Sequence, residues 1–286
     1  MSNTELSRAE RLDHYVAKKF PALSRSSSSK LITENRVFVN GVVENKPGYK
    51  LRQSDSIDID FNEQELIEIP SIELPIIYED EDCVVINKPV GLLSHSKGTF
   101  NPEPTVASWL SNRISGIQGD RAGVVHRLDR ATSGIMICAK NENASKWLQK
   151  QFSARKVKKT YIALVEGKLD NSHAIIDMPI ERNPKKPQTF RVGYNGKSAT
   201  TEYTVVKENS SITMLELKPN TGRTHQLRVH LKQIGHPIIG DTLYESRTAD
   251  RMFLHAKSLE ITLPDRQRKI FTTPLPPSFN AFFNLK

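Results

Sequence analysis

Near the middle of this 286-residue chain, the segment AGVVHRLDRATSGIMICAK gathers His126, Arg127, Asp129, Arg130, Thr132 and Ser133 between two apolar runs. A single carboxylate among guanidiniums, an imidazole and hydroxyls can act as a nucleophile or take up a proton, and neighbouring cations would keep it ionised. A polar loop held by rigid elements suits such work, because the scaffold fixes its geometry while solvent and substrate still reach it. The residues alone leave a second reading open, a capped and salt-bridged turn in which Gly134 frees the backbone to re-enter a sheet.

Other chemistries find little support. Cys83 and Cys138 belong to no CxxC pair, and His225 and His230, five apart, fall off a common helical face, so no metal is expected. There is no phosphate loop or dinucleotide fingerprint, and Ser133-Gly134 is not part of a GxSxG elbow, so no cofactor and no acyl-transfer triad are expected. Lys and Arg outnumber Asp and Glu by 41 to 32, a formal charge of +9, which favours a polyanionic partner through counterion release. Two isolated cysteines, a polar N-terminal stretch and no run of about 18 apolar residues suggest a soluble, cytoplasmic protein without a membrane span. A monomer is the default expectation.

The elements that would position the loop follow from periodicity. Leu12, Tyr15 and Val16 predict a helix within 9–19, and Leu31 and Ile32 a second one opened by Ser24 or Ser26 as cap. VFVNGVV then reads as a hairpin, since Asn40-Gly41 supplies the positive φ angles of a tight turn. Arg25, Lys30, Arg36, Lys46, Lys50 and Arg52 against Glu34 and Glu44 give this unit a basic face for gripping phosphates. Residues 63–75 form an acidic, proline-bearing linker. From Ile76 the pattern becomes short β-branched strands (CVVIN, GVVH, IMICAK, TYIALVEG, TEYTVV, ITMLEL) with helices near 141–156 and 224–234. The expected architecture is α+β: a small N-terminal α+β domain over 1–62 and a mixed, mainly antiparallel sheet domain over 76–286, with its site in a cleft across the sheet.

RLDHYV, SRSSSSKLI and NRVFVNGVV resemble the S4-like RNA-binding domain, with Asn35 where that family usually has Gly. HRLDRATSG followed by an apolar strand resembles the signature loop of the RluA-type pseudouridine synthases. YEDEDCVVINKPVGLLSH, KKTYIALVEG, TGRTHQLRVHL and MFLHAKSLEI resemble, in order, that family's entry strand and KPxG turn, tyrosine strand, arginine-bearing helix and closing strand. In the closing strand Lys257 stands where an aromatic residue is common. The resemblance implies isomerisation of uridine in a structured RNA, ribosomal RNA favoured over transfer RNA, with Asp129 as the catalytic carboxylate. It further implies Arg223 as the cation opposing Asp129, on a helix that Thr224 would cap. Tyr161 becomes the residue stacking on the base, and Arg127 the side chain filling the place of the extruded nucleotide. Arg130, Lys158, Lys159 and Arg182, with Arg25, Lys30 and Arg36 of the first domain, are candidate RNA contacts. The reaction breaks a carbon–nitrogen glycosidic bond and rejoins the base through carbon; nothing is oxidised, so a carboxylate suffices, by adding to base or ribose or by removing a ribose proton. Two alternatives are an RNA-binding assembly factor of the same fold without activity and an N-glycosidase leaving an abasic ribose.

Overall fold

The computed structural model describes residues 10–20, 23, 25–62, 70–95, 103–111, 113–114, 117, 121 and 123–284. The chain divides into two compact units: one takes in 1–72 with 95–109 and 118–121, the other the remainder.

In the first unit, helices α1 (Leu12–Lys19) and α2 (Arg25–Thr33) precede β1 (Val37–Val39), β2 (Val42–Val43) and β3 (Ile57–Ile59), whose antiparallel sheet runs β2-β1-β3. Leu12, Val16, Leu31, Ile32, Val37 and Ile59 form its core. Asn40 and Gly41 turn the hairpin at φ 54° and 77°, and Asn35 adopts φ 62°, the left-handed conformation that Asn tolerates. Ser26 lies inside α2, so it is not the cap; Ser24 and the side chain of Arg25 lie outside the described residues. Arg36 pairs with Asp60 at 3.3 Å and Lys30 with Glu34 at 3.7 Å, so both basic residues share their charge with an acid.

The second unit is built on one large sheet. Its strands are β4 (Ile76–Glu79), β5 (Cys83–Lys88), β6 (Ser133–Ala139), β7 (Lys158–Glu166), β8 (His173–Asp177), β11 (Thr200–Glu208), β12 (Ile212–Pro219), β13 (Leu254–Thr262) and β14 (Arg268–Thr272). They run in the order β4-β5-β6-β13-β7-β12-β11-β8, with β14 also on β13. All pairs are antiparallel except β6 with β13, so the sheet is mixed and mainly antiparallel. A separate hairpin joins β9 (Ile180–Arg182) and β10 (Phe190–Val192). The unit's helices are α4 (Glu142–Ser153), α5 (Gln226–Gln233) and α6 (Pro277–Asn284); α3 (Val106–Ser111) divides, with 106–109 in the first unit and 110–111 in the second, and α3 and α6 were not anticipated. Asn141 caps α4 by accepting the Ala144 N–H at 2.9 Å.

Strand alternation decides which helix covers which face. Ala163 and Val165 of β7 pack with Leu227 and Leu231 of α5, while Ile162 and Leu164 pack with Phe279 and Phe283 of α6. Tyr161 shares the parity of Ala163 and packs into the α5-side cluster. The helix that brings cations and the strand that brings the phenol thus meet on one face of the sheet. Among the described residues GVVH makes only an isolated bridge, Val124 to Cys138: the Ile137 N–H is taken by the His126 side chain rather than by backbone, and the Ala139 N–H by the Gly123 carbonyl.

Candidate active site

Asp129 lies in an irregular loop, yet the backbone around it is pinned from several sides. Lys88, at the end of β5 and fully buried, donates to the carbonyl oxygens of Pro89 (2.9 Å), Leu92 (2.8 Å) and Arg130 (3.5 Å). The Gly91 N–H donates to the Arg130 carbonyl at 2.8 Å, and Ser94 both donates to the Leu128 carbonyl (2.7 Å) and accepts the Leu128 N–H (3.1 Å). The KPVGLLS turn is thereby a cradle under residues 128–130. Burial pushes the Lys88 ammonium down to about 8, against the pull of Asp129.

The loop leaves through Thr132 and Ser133, both buried, and Ser133 Oγ lies 2.8 Å from His255 Nδ1 and accepts from Arg251 at 2.6 Å. Gly134 follows at φ 115°, and a Cβ there would run into the Ala256 backbone, so only glycine lets β6 start against β13. His126 is structural: its Nε2 accepts the Ile137 N–H at 3.1 Å, its ring stacks on Phe152, and burial pushes its pKa down to about 3.

The cation facing Asp129 is Arg228, in the middle of α5. Its Nη1 donates to Asp129 Oδ2 at 3.3 Å, while Nε and Nη2 grip both carboxylate oxygens of Asp241 at 2.7 Å each. The side chains of Arg228 and Asp241 are only 7% and 1% exposed, against 19% for Asp129, so the guanidinium is locked by one carboxylate and offered to the other. Burial alone would lower the arginine pKa, but the two carboxylates raise it. Arg223 was expected in this place. Its Nε instead donates to the Ser198 carbonyl at 3.0 Å, because α5 starts at Gln226 rather than at a Thr224 cap. Gln226 organises that start: its Oε1 accepts from Thr221 (2.6 Å) and from the Arg223 N–H (3.0 Å), and its Nε2 donates to Thr200 O and Thr201 Oγ1 (3.0 Å each).

His225, in the left-handed conformation just before α5, puts Nε2 at 3.7 Å from Asp129 Oδ2 and Nδ1 at 2.8 Å from the Tyr244 phenol oxygen. Tyr161 is half-buried nearby; burial and then the Asp129 charge push its phenol pKa up, so it stays protonated at neutral pH. Arg127 is exposed and lies within electrostatic range of His225. Arg130 is exposed as well.

The other expected RNA contacts are scattered around the unit. Lys158 pairs with Glu260 at 3.4 Å, and Lys159, on the Tyr161 side of β7, is pushed down by burial to about 8. The Arg182 guanidinium donates to the Pro187 carbonyl at 2.7 Å and lies 5.3 Å from the Phe190 ring centre. Cys83 and Cys138 are buried free thiols, and among the described residues no group of three His, Cys, Asp or Glu is placed to hold a metal. No helix among them is long and apolar enough to cross a membrane.

Sequence reading missed Arg228, Asp241, His225, Tyr244 and the role of Lys88. The available signal was an arginine inside the apolar run LRVHL, together with a lysine at the end of the apolar strand CVVIN; charges in such places need buried partners.

Asp129 thus stands on a clamped loop against a locked guanidinium and near a protonated phenol, and comparison with known proteins gives the class. The model of the RNA pseudouridylate synthase family matches residues 82–233, which contain the Asp129 loop, Tyr161 and α5, and the S4 domain model matches residues 10–57. The chain belongs to the RNA pseudouridine synthase family and carries an S4 domain; it is an isomerase of RNA uridine. An uncharacterized RNA pseudouridine synthase of Aquifex aeolicus is 43% identical over 82% of this chain and 77% of that protein. Ribosomal large subunit pseudouridine synthase D of Escherichia coli K12 is 36% identical over 89% and 83% of the two chains. The solved structure of human RNA pseudouridylate synthase domain containing 1 is 30% identical, with a TM-score of 0.62 over 73% of this chain and 87% of that one.

Proposed function

We propose that this synthase converts specific uridines of ribosomal RNA, with Asp129 as the reacting carboxylate. The observation that carries the assignment is the Asp129 geometry: partly open to solvent, on a loop clamped by Lys88 and Ser94, and opposed by a guanidinium that Asp241 holds in place. The ribosomal substrate is supported by relatives such as the Escherichia coli and Borreliella burgdorferi proteins, both named ribosomal large subunit pseudouridine synthase D.

Isomerisation cleaves the bond between C1′ and N1 and forms one between C1′ and C5; the C5 proton leaves and N1 gains one, so no oxidant or imported group is required. Asp129 adds to base or ribose, or takes a ribose proton, and Arg228 keeps its charge localised without consuming it. Tyr161 offers a ring for the base to stack on, and its raised pKa suits a hydrogen-bond donor rather than a standing phenolate base. Extruding the uridine costs a few kcal/mol, which phosphate contacts offset. Arg127, exposed beside the site, fills the vacated stack, and the S4 domain together with Lys159, Arg130 and the Arg182 hairpin grips the backbone.

The test is to incubate wild type and Asp129→Asn with total RNA from a strain lacking the gene and to map pseudouridine by carbodiimide-dependent reverse-transcription stops. New stops in ribosomal RNA with wild type alone are expected. Stops confined to transfer RNA would overturn the substrate assignment, and an active Asp129→Asn would overturn the role of Asp129.

A further inference from the structure

We propose that His225, held by Tyr244 as its Nε2–H tautomer, is a positioning residue that fixes Asp129 through Oδ2 and leaves Oδ1 as the oxygen that reacts. This rests on Asp129 being the catalytic carboxylate and adds which oxygen acts and what orients it.

Both groups that approach the carboxylate from α5 meet the same oxygen: Arg228 Nη1 at 3.3 Å and His225 Nε2 at 3.7 Å from Oδ2. Among the described residues Oδ1 receives no hydrogen bond. The tautomer is assigned from the phenol. Tyr244 Oη accepts the Phe190 N–H at 2.9 Å and lies 2.8 Å from His225 Nδ1, so a phenol that accepts once and donates once gives its proton to Nδ1. Burial pushes that phenol up to about 12, so the proton stays on oxygen at neutral pH. In that arrangement Nδ1 is the acceptor, and Nε2, the ring nitrogen nearer Asp129, carries the hydrogen. The separation of 3.7 Å is too long for a hydrogen bond, so the N–H dipole acts through its field. Tyr244 also lies under the Arg228 guanidinium, 4.9 Å from ring centre to Cζ, so one side chain braces both groups.

Neutrality matters here. Burial keeps His225 below its ordinary pKa; Asp129 and Asp241 pull it up, and Arg228 and Arg127 push it down. Phe190 meets the ring edge-on, with Arg182 beyond it. On protonation, Oδ2 would face a second full cation, and the carboxylate would lose nucleophilicity and basicity.

Single-turnover rates on a target RNA, over pH about 5 to 9, test this. His225→Leu is expected to lower the rate about 10- to 100-fold with RNA affinity unchanged, and His225→Gln, which restores an N–H donor, to recover most of it. The wild-type acid limb should lie below about 6.5, the ordinary histidine value, and vanish in His225→Gln, which has nothing there to titrate. Tyr244→Phe keeps the ring but removes the proton that favours neutral His225, so its acid limb should move to higher pH. A His225→Leu enzyme of wild-type rate, or an acid limb unmoved in both His225→Gln and Tyr244→Phe, overturns the inference. Should His225→Leu fail to fold, those two profiles decide. Asp129→Asn in the same assay separates the failures: if it is active, the underlying reading falls, and if it is inactive while His225 variants behave as wild type, only this inference does.

Discussion

Replacing Arg228 by Lys keeps the charge and removes the fork. In the native site three N–H groups serve two carboxylates: two on Asp241 at 2.7 Å and one on Asp129 at 3.3 Å. A lysine ammonium is a point donor on a flexible stem and cannot span both oxygens of Asp241 while reaching Asp129. At least one buried charge-assisted hydrogen bond is lost, about 1.5–3 kcal/mol. At about 2–4 °C per kcal/mol for a chain of this size, the melting temperature should fall by about 3–12 °C. Because Asp129 loses a fixed partner, the single-turnover rate should drop roughly 100-fold, the usual consequence of a reacting group misplaced by about an ångström. Release of tritium from RNA labelled at uridine C5 measures the rate, and calorimetry the stability. Arg223→Ala is the control: among the described residues its guanidinium hydrogen-bonds the Ser198 carbonyl alone, so the rate on bound RNA should stay within about threefold of wild type. Full activity in Arg228→Lys, with collapse in Arg223→Ala, would refute the assignment of the pairing cation.

Three other outcomes are expected. His126 is held neutral with a pKa of about 3, below the unfolded value, so the unfolded chain binds the extra proton first; stability is present above about 6.5 and is lost as pH falls toward 3, at up to about 1.4 kcal/mol per pH unit. In His126→Gln, which keeps an acceptor for the Ile137 N–H without titrating, that part of the acid slope should disappear from urea titrations. Gly134→Ala should destabilise by at least about 2–3 kcal/mol, from the forbidden φ and the collision with Ala256, and a soluble variant of wild-type melting temperature would contradict this. Arg127→Ala should leave the melting temperature within about 1 °C, since the side chain is exposed, yet slow modification of base-paired targets more than that of unstructured ones.

Much of this was legible in the residues. The left-handed Asn35 and the Asn40-Gly41 hairpin follow from local backbone chemistry, and the strands at CVVIN, IMICAK, TYIALVEG, TEYTVV and ITMLEL from β-branched runs, whereas β8, β9, β10 and β14 were not foreseen. The pairing of Asp129 was harder. TGRTHQLR offers two arginines five apart, and a helix beginning at Thr224 would have favoured the first. Gln226, by binding the Arg223 N–H and two strand residues at once, delays the helix and turns the second arginine inward. Its partner Asp241 lies thirteen positions further on in a turn, and no helical or strand period connects the two. GVVH reads as a strand by composition, but the His126 side chain rather than its backbone accepts the Ile137 N–H, and a single bridge to β6 remains.

The parallel contact between β6 and β13 makes only two registered pairs, Ser133 with His255 and Gly134 with Ala256, yet it joins segments more than 120 positions apart. Such non-local pairings set slow folding rates, because a long loop must close before any contact repays it. On a ribosome, β6 can pair with β5 once both have emerged, but its first two residues would wait for β13, and Ser133 for His255 and Arg251. A nascent chain would display its S4 domain well before it could modify a base, so RNA affinity would be acquired ahead of activity during synthesis.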